Sequence, residues 1–347
     1  MRTSSAHTTL PLVLLASASF LFSSCGGRQS AVDAAGIQAE RLENLWWLFF
    51  GVCAAVYVIV MAVLLIAFFR NRRGGPDTAP DIGPESHGED RAAYTVKGAV
   101  AITVVILFVL MFVSFRTGSA INTLSQSPDQ LSIKITGNQW WWNVEYKDAI
   151  PSNNIMTANE LHLPVGRPVK VELQSNDVIH SIWLPNMHGK KDLIPNYPTV
   201  FYFRPDKIGT YWGQCAEFCG YQHAKMRFIV IVETPEEFDA WMKAQQQPSA
   251  PPTVDATLQK GQQIFLTSVC TQCHTVQGTN ASGRVGPNLT HVASRQYIAA
   301  GSLQNTRDHL RSWITDPQAI KPGTRMPMNT YSEEDLDALL SYIESLK

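Results

Sequence analysis

Two cysteines and a histidine near the C-terminus form a motif with a specific chemistry. Cys270 and Cys273 are separated by two residues, and His274 follows directly. This C-x-x-C-H spacing is the signature of c-type haem attachment, in which both thiols bond the porphyrin and the histidine binds the iron. A methionine as the second axial ligand raises the haem potential, as in cytochromes c. Met326, which a proline follows, is the expected ligand. The other candidates for that position are Met328, His291 and His309, and we expect both histidines at the surface.

A second group of soft ligands lies upstream of the haem motif. The stretch 215–226 carries Cys215, Cys219, His223 and Met226, and His180 follows an apolar run before it. Soft sulfur ligands select copper, zinc or iron–sulfur, and a mixture of histidine, cysteine and methionine selects copper. Two thiolates at this spacing can bridge two metal ions. A bridged pair that shares one unpaired electron changes little in geometry on redox, as electron transfer requires. The alternative is a disulfide or a zinc pair, which the additional imidazoles and thioether disfavour.

The elements that must position these ligands change along the chain. In residues 117–243, short segments alternate apolar and β-branched residues with polar ones, and Pro and Gly separate them. This pattern predicts strands of a sandwich or barrel. Residues 244–256 are rich in Gln and Pro and indicate a linker. The helical periodicity of residues 257–347 then predicts a small all-α domain.

The N-terminal third has the pattern of a membrane segment. Residues 1–25 indicate a signal peptide, with Cys25 as a candidate site of lipidation. Within 40–116, the stretches 45–69 and 98–115 contain no charged residue, and about 20 apolar residues are enough to cross a bilayer. The intervening loop has more basic residues than either outer flank, which places that loop in the cytoplasm and the C-terminal domains outside.

Composition excludes several other classes of protein. The chain has 28 Lys and Arg against 29 Asp and Glu, so no basic field exists that would hold nucleic acid. Its 45% hydrophobic content excludes a disordered chain.

The loop 215–226, with the upstream histidine and the two apolar helices, resembles subunit II of the haem–copper cytochrome c oxidases. The resemblance covers about residues 40–243, and residues 255–347 resemble a class I cytochrome c. Together, these two resemblances imply two transmembrane α-helices, a cupredoxin-like β-sandwich with a dinuclear copper A centre, and an all-α cytochrome c domain with one covalent haem c.

The resemblance also implies roles for single residues. The copper ligands would be His180, Cys215, Cys219, His223, Met226 and the backbone carbonyl of Glu217. The Glu217 side chain would help to bind Mg²⁺ at the interface with subunit I. Electrons would enter at Trp140, in a run of three tryptophans, and the Pro287 carbonyl would accept a hydrogen bond from the haem histidine. The glutamate that often opens the second helix in the family is missing from residues 92–99, which leaves that proton-uptake role in doubt.

The resulting expectation is a multi-pass protein of the bacterial inner membrane, with its copper and haem domains on the periplasmic face. As a subunit of cytochrome c oxidase without an oxygen-reducing site of its own, it would take electrons from a cytochrome c or a quinol–cytochrome c reductase. It would pass them to subunit I, which reduces dioxygen to water and translocates protons, and subunit III would complete the complex. The alternatives are the electron-input subunit of a copper-A-type nitric oxide reductase and a copper-binding or assembly protein without a role in turnover.

Overall fold

The computed structural model describes residues 26–71, 87–121, 127, 129–252 and 254–347. The predicted signal peptide and Cys25 lie outside these residues, as does most of the loop between the apolar helices. The chain divides into two compact units, residues 41–123 and the remainder.

Two long helices, α1 (Ile37–Asn71) and α2 (His87–Ile121), supply the unit of residues 41–123, except that the first turn of α1 belongs to the other unit. Both are long and apolar enough to cross a membrane. They extend beyond the charge-free runs, and α2 continues past residue 116, because no proline interrupts the polar turns at their ends. The Arg41 guanidinium donates a hydrogen bond to the Ala120 carbonyl. The start of α1 therefore lies beside the end of α2, as in an antiparallel hairpin.

The middle of the chain is a β-sandwich. Its strands are β1 (Leu131–Asn138), β2 (Trp141–Tyr146), β3 (Ile155–Ala158), β4 (Glu160–Pro164), β5 (Val169–Ser175), β6 (His180–Trp183), β7 (Lys190–Leu193), β8 (Thr199–Phe203), β9 (Gly209–Cys215) and β10 (Arg227–Glu233). They form two five-stranded sheets, ordered β3-β2-β1-β5-β8 and β4-β10-β9-β6-β7. In β5, Val169, Val171 and Leu173 are fully buried and the residues between them are not, which is the alternation expected of a strand with one buried face. The predicted sandwich is confirmed.

Helices dominate the C-terminal part. Helix α3 (Pro235–Gln245) follows the last strand of the sandwich. The C-terminal helices are α4 (Ala256–Thr267), α5 (Cys270–Cys273), α6 (Arg307–Thr315), α7 (Pro317–Ile320) and α8 (Glu333–Ser345). A short hairpin joins β11 (Tyr297–Ile298) to β12 (Leu303–Gln304). These helices surround a second hydrophobic core, separate from that of the sandwich. Residues 131–245, which contain the expected copper ligands, are called the copper domain, and residues 256–347, which contain the C-x-x-C-H motif, are called the haem domain.

The crossing of α4 and α8 depends on a glycine. A Cβ at Gly261 would lie 2.0 Å from the Ala338 carbonyl oxygen, so the two helix backbones approach each other closely only because this side chain is missing. We expect Gly261→Ala to destabilise the haem domain by about 1–3 kcal/mol, the usual cost of overpacking. Urea unfolding followed by haem absorbance measures the change, and Gln263→Ala, on the exposed face of α4, should leave the midpoint unchanged.

The copper and haem domains, which belong to the same compact unit, are in direct contact. The backbone N–H of Gln296 donates to Glu160 Oε2 at 3.0 Å, and that of Arg227 donates to the Ala300 carbonyl at 3.1 Å. The linker is also held, since both the N–H and the hydroxyl of Ser249 donate to the Gln277 carbonyl. Its sequence pattern indicated a linker but did not predict these contacts.

Candidate redox centres

The loop between β9 and β10 carries four of the five predicted side-chain copper ligands. Cys215 ends β9, and a 3₁₀ turn at His223–Lys225 precedes Met226, the residue directly before β10. The fifth ligand, His180, begins β6, which pairs with β9 and so lies beside the loop. The topology of one sheet thus brings together residues that are up to 46 positions apart, since the set extends from His180 to Met226.

These side chains converge on two thiols that are not bonded to each other. Cys215 Sγ and Cys219 Sγ are 3.8 Å apart, far longer than a disulfide bond of about 2.05 Å. His180 Nδ1 lies 3.9 Å from Cys215 Sγ, while His223 Nδ1 and Met226 Sδ lie 3.7 and 3.8 Å from Cys219 Sγ. A metal–thiolate bond is about 2.3 Å, so one ion can reach both sulfurs at this separation.

Neighbouring groups orient the ligands. His180 Nε2 lies 2.8 Å from Asp177 Oδ1, and because a carboxylate accepts, Nε2 carries the proton and the Nδ1 lone pair faces the sulfurs. The backbone N–H of Gln139 donates to the other oxygen of Asp177 at 2.7 Å. The Glu217 carbonyl lies 3.2 Å from Cys215 Sγ. The Glu217 side chain is half-buried and accepts from the N–H of Phe218.

The charges of the two thiols depend on each other. The hydrogen bond from Cys219 lowers the pKa of Cys215, and the same contact raises the pKa of Cys219. One thiolate and one thiol are therefore favoured, because two adjacent buried thiolates repel unless cations lie between them. The soft, buried donor set, with His180, Cys215 and Cys219 offering ligand atoms within 4.8 Å of one another, fits a copper pair.

The haem motif lines a cavity of about 440 Å³. Cys270, Cys273 and His274 lie along one side of it with Met326 also in the wall, and Trp140 of the copper domain contributes from outside the haem domain. Both cysteines are free thiols on the short helix α5. The predicted attachment and axial residues therefore border one cavity.

His274, the predicted haem ligand, is held in one tautomer. His274 Nδ1 donates to the Pro287 carbonyl at 2.7 Å, which leaves the Nε2 lone pair free for iron. Burial lowers the pKa of His274, so the ring is neutral, as a ligand must be. A Cβ at Gly286 would lie 2.6 Å from His274 Cε1, so this position requires a glycine.

A buried arginine adds an independent indication of the cofactor. Arg295 lines the cavity and donates to the Asn288 carbonyl, and its Nε has no hydrogen-bond partner among the described residues. Such a group is costly unless an acceptor reaches it, and haem carries two carboxylates. The residues present therefore fit a haem.

The candidates for the second axial ligand occupy different environments. Met326 lines the cavity, whereas Met328 is 62% exposed and lies outside the lining. His309 Nδ1 donates to the Gln304 carbonyl. His291, which we expected at the surface, is buried. Its ring nitrogens lie 2.8 and 3.0 Å from the carbonyls of Lys347 and Gln247, so the polar ring has hydrogen-bonding partners in the interior.

Comparisons with known proteins recognise both domains. Residues 151–234 match the family model for the periplasmic domain of cytochrome c oxidase subunit II, and residues 258–347 match that for cytochrome c. The chain is 33% identical to cytochrome c oxidase subunit 2 of Alkalihalophilus pseudofirmus, over 97% of this chain and 96% of the relative. The chain belongs to the cytochrome c oxidase subunit II family.

A second relative and a solved structure are also similar to this chain. Cytochrome c oxidase subunit 2 of Bacillus sp. PS3 is 32% identical over 80% of each chain. The crystal structure of the periplasmic domain of subunit II from Bradyrhizobium japonicum is 31% identical over 33% of this chain and 93% of that chain, with a TM-score of 0.32. The predicted family and fold class are confirmed. The chain is a membrane protein with an extramembrane domain, its two matched families imply copper A and haem binding, and its relatives imply a complex with subunit I.

Trp140 lies in the copper domain where the haem domain covers it. Its indole N–H donates to the Cys219 carbonyl at 2.9 Å, and the residue is 7% exposed.

Reasoning from the sequence missed three residues around these sites: Asp177, Arg295 and Lys321. An acid in a turn or a single basic residue in a loop is common, so no local pattern marks them.

Proposed function

We propose that the chain receives electrons at a haem c held by Cys270, Cys273, His274 and Met326, and passes them to a dinuclear copper A centre in the loop between β9 and β10. When bound, the haem iron and the copper pair each take up and release one electron at a time. The next acceptor is subunit I, which reduces dioxygen to water and couples this reaction to proton translocation.

The position of Trp140 carries this proposal. Its indole donates to the carbonyl of the ligand Cys219, and on the other side the ring faces the loop that precedes Met326. A Cβ at Gly323 would lie 3.8 Å from Trp140 Cη2, so loop and ring are close to van der Waals contact. Trp140 is therefore the residue through which electrons enter the copper centre, and they come from the haem of the same chain.

The burial of Trp140 determines where an external donor acts. With 7% of its surface exposed, its indole offers almost no area to a second protein. The upstream donor, a cytochrome c or a quinol–cytochrome c reductase, thus delivers electrons to the haem domain. Because the haem domain belongs to the same chain as the copper centre, it acts as a tethered donor. Electrons then reach the copper centre without a separate encounter between the copper domain and a diffusing protein.

The surrounding residues keep the copper ligands in place through each redox change. Asp177 fixes the ring of His180, and burial of both thiols excludes water from the pair. The carbonyl of Glu217 is a further ligand, and its half-exposed carboxylate takes part in Mg²⁺ binding at the contact with subunit I.

The membrane topology follows from the charges that flank the helices. The loop between α1 and α2 carries the excess of basic residues and lies in the cytoplasm. The copper and haem domains then lie on the periplasmic face of the inner membrane, where subunits I and III complete the complex.

The purified complex tests this function directly. With a reduced cytochrome c as donor, we expect it to consume dioxygen and to leave nitric oxide untouched. Consumption of nitric oxide without consumption of dioxygen would assign the chain to a nitric oxide reductase. A complex in which copper exchanges freely and no electron passes from haem to copper would indicate an assembly protein.

A further inference from the structure

A buried lysine joins the two domains at the point where their redox sites meet. Lys321 follows α7 in the haem domain and is 2% exposed. Its Nζ donates to three backbone carbonyls, those of Trp140 at 2.8 Å, Lys225 at 2.9 Å and Ala299 at 3.2 Å. The first two belong to the copper domain and the third to the haem domain.

The three contacts use the whole donor capacity of the ammonium group. An ammonium group has three N–H donors, and burying its charge is costly unless these donors are satisfied. Of these three acceptors, only the Ala299 carbonyl belongs to the haem domain. The remaining two are in place only when the copper domain is docked in this register. A displaced docking geometry would leave buried N–H donors without acceptors, so the lysine selects one geometry over its neighbours.

Two of the acceptors of Lys321 lie on or beside the proposed electron path. Trp140 is held at its carbonyl by Lys321 and at its indole by Cys219, so both ends of this residue are fixed. Lys225 lies between the proposed copper ligands His223 and Met226. A shift of the haem domain relative to the copper loop would therefore disturb the contacts that fix Trp140.

Neighbouring contacts bind the same two segments. Gln222 Nε2 donates to the Pro322 carbonyl at 2.8 Å, and Lys225 Nζ donates to the Ile320 carbonyl at 2.5 Å. The donors in these two bonds come from the copper loop, whereas Lys321 donates in the reverse direction. The segment 320–322 is therefore bound through three consecutive residues.

We propose that Lys321 is a positioning residue that sets the register of the haem domain on the copper loop and so fixes the distance for electron transfer through Trp140. This inference rests on the proposed function. The step that it controls moves a single electron: the haem iron is oxidised, the copper pair is reduced, and no bond or proton is exchanged. Because tunnelling falls steeply with distance, a small loss of register slows this step.

The test is Lys321→Met in the full chain, which keeps an unbranched side chain one atom shorter than lysine and removes its donors. Haem-to-copper transfer is followed after photochemical reduction of the haem, at low and high solvent viscosity. We expect a rate loss on the order of tenfold or more, as for other misplacements of about 1 Å in reacting groups. We also expect the rate to become viscosity-dependent, because the domains must first return to register. The absorption spectra of haem and copper should not change.

Two further variants separate positioning from folding and from loss of charge. Lys243→Met, the same substitution at an exposed lysine of α3, should transfer electrons at the wild-type rate. Lys321→Gln retains two N–H donors and should give an intermediate rate, which preserves the test if Lys321→Met does not fold. Wild-type, viscosity-independent transfer in Lys321→Met, or in Lys321→Gln where Lys321→Met is unfolded, would overturn the proposal. Absence of haem-to-copper transfer in the wild-type chain would overturn the proposed function instead.

Discussion

Replacing Cys219 by serine is expected to abolish the copper centre and to leave the haem in place. Cys219 Sγ lies close to three other proposed donor atoms, at 3.8 Å from Cys215 Sγ, 3.7 Å from His223 Nδ1 and 3.8 Å from Met226 Sδ. A hydroxyl cannot replace a bridging thiolate for a soft metal. Oxygen consumption by the complex should fall by more than about 100-fold, the upper end of the loss when only an outer-shell partner of a metal ligand is changed.

Metal analysis and haem absorbance of the purified variant measure both parts of this expectation. Cys53→Ser is the matched control, because Cys53 is a free thiol on the apolar helix α1 and takes no part in the site. The control should keep wild-type copper, haem and activity. Retention of two coppers in Cys219→Ser would show that the bridging role is wrong.

Replacing Met326 by alanine is expected to lower the haem potential and to stop electron delivery to the copper centre. Met326 lines the cavity that also contains His274, and a thioether ligand raises the potential of a histidine-ligated haem. Its loss should shift the potential down by on the order of 0.1 V or more, within the range of roughly 0.8 V that axial ligands set. A redox titration followed by haem absorbance gives the value.

Met328→Ala provides the control for this measurement. Met328 is two positions away, 62% exposed, and does not line the cavity. Its removal should leave the potential and the spectrum of the haem unchanged. A shift in Met328→Ala without a shift in Met326→Ala would exchange the roles of the two residues.

Much of this protein follows from local sequence pattern. Alternation in β5, where Val169, Val171 and Leu173 are buried, predicts a strand with one face in the core. The C-x-x-C-H motif and the cluster from Cys215 to Met226 could be recognised because most of each ligand set lies within one short segment. His180 was found for a different reason, because it follows a strand-like run, and the structure places it at the start of β6.

The docking of the two domains could not be predicted in this way. Lys321 and Trp140 are 181 positions apart, and nothing in the composition of either segment indicates their contact. The same holds for His291, which two carbonyls hold in the interior although its sequence surroundings are polar. Such contacts depend on how the surfaces of folded domains fit together, whereas a pattern of hydrophobicity indicates only which face of a helix or strand is buried.

Electron paramagnetic resonance of the oxidised full chain, combined with copper analysis, most directly tests whether the loop between β9 and β10 holds two ions that share one unpaired electron. The expected result is two coppers per chain and a signal whose hyperfine splitting arises from two equivalent copper nuclei. A signal split by a single copper nucleus, a zinc ion in place of copper, or a disulfide between Cys215 and Cys219 in the purified chain would contradict a shared copper pair.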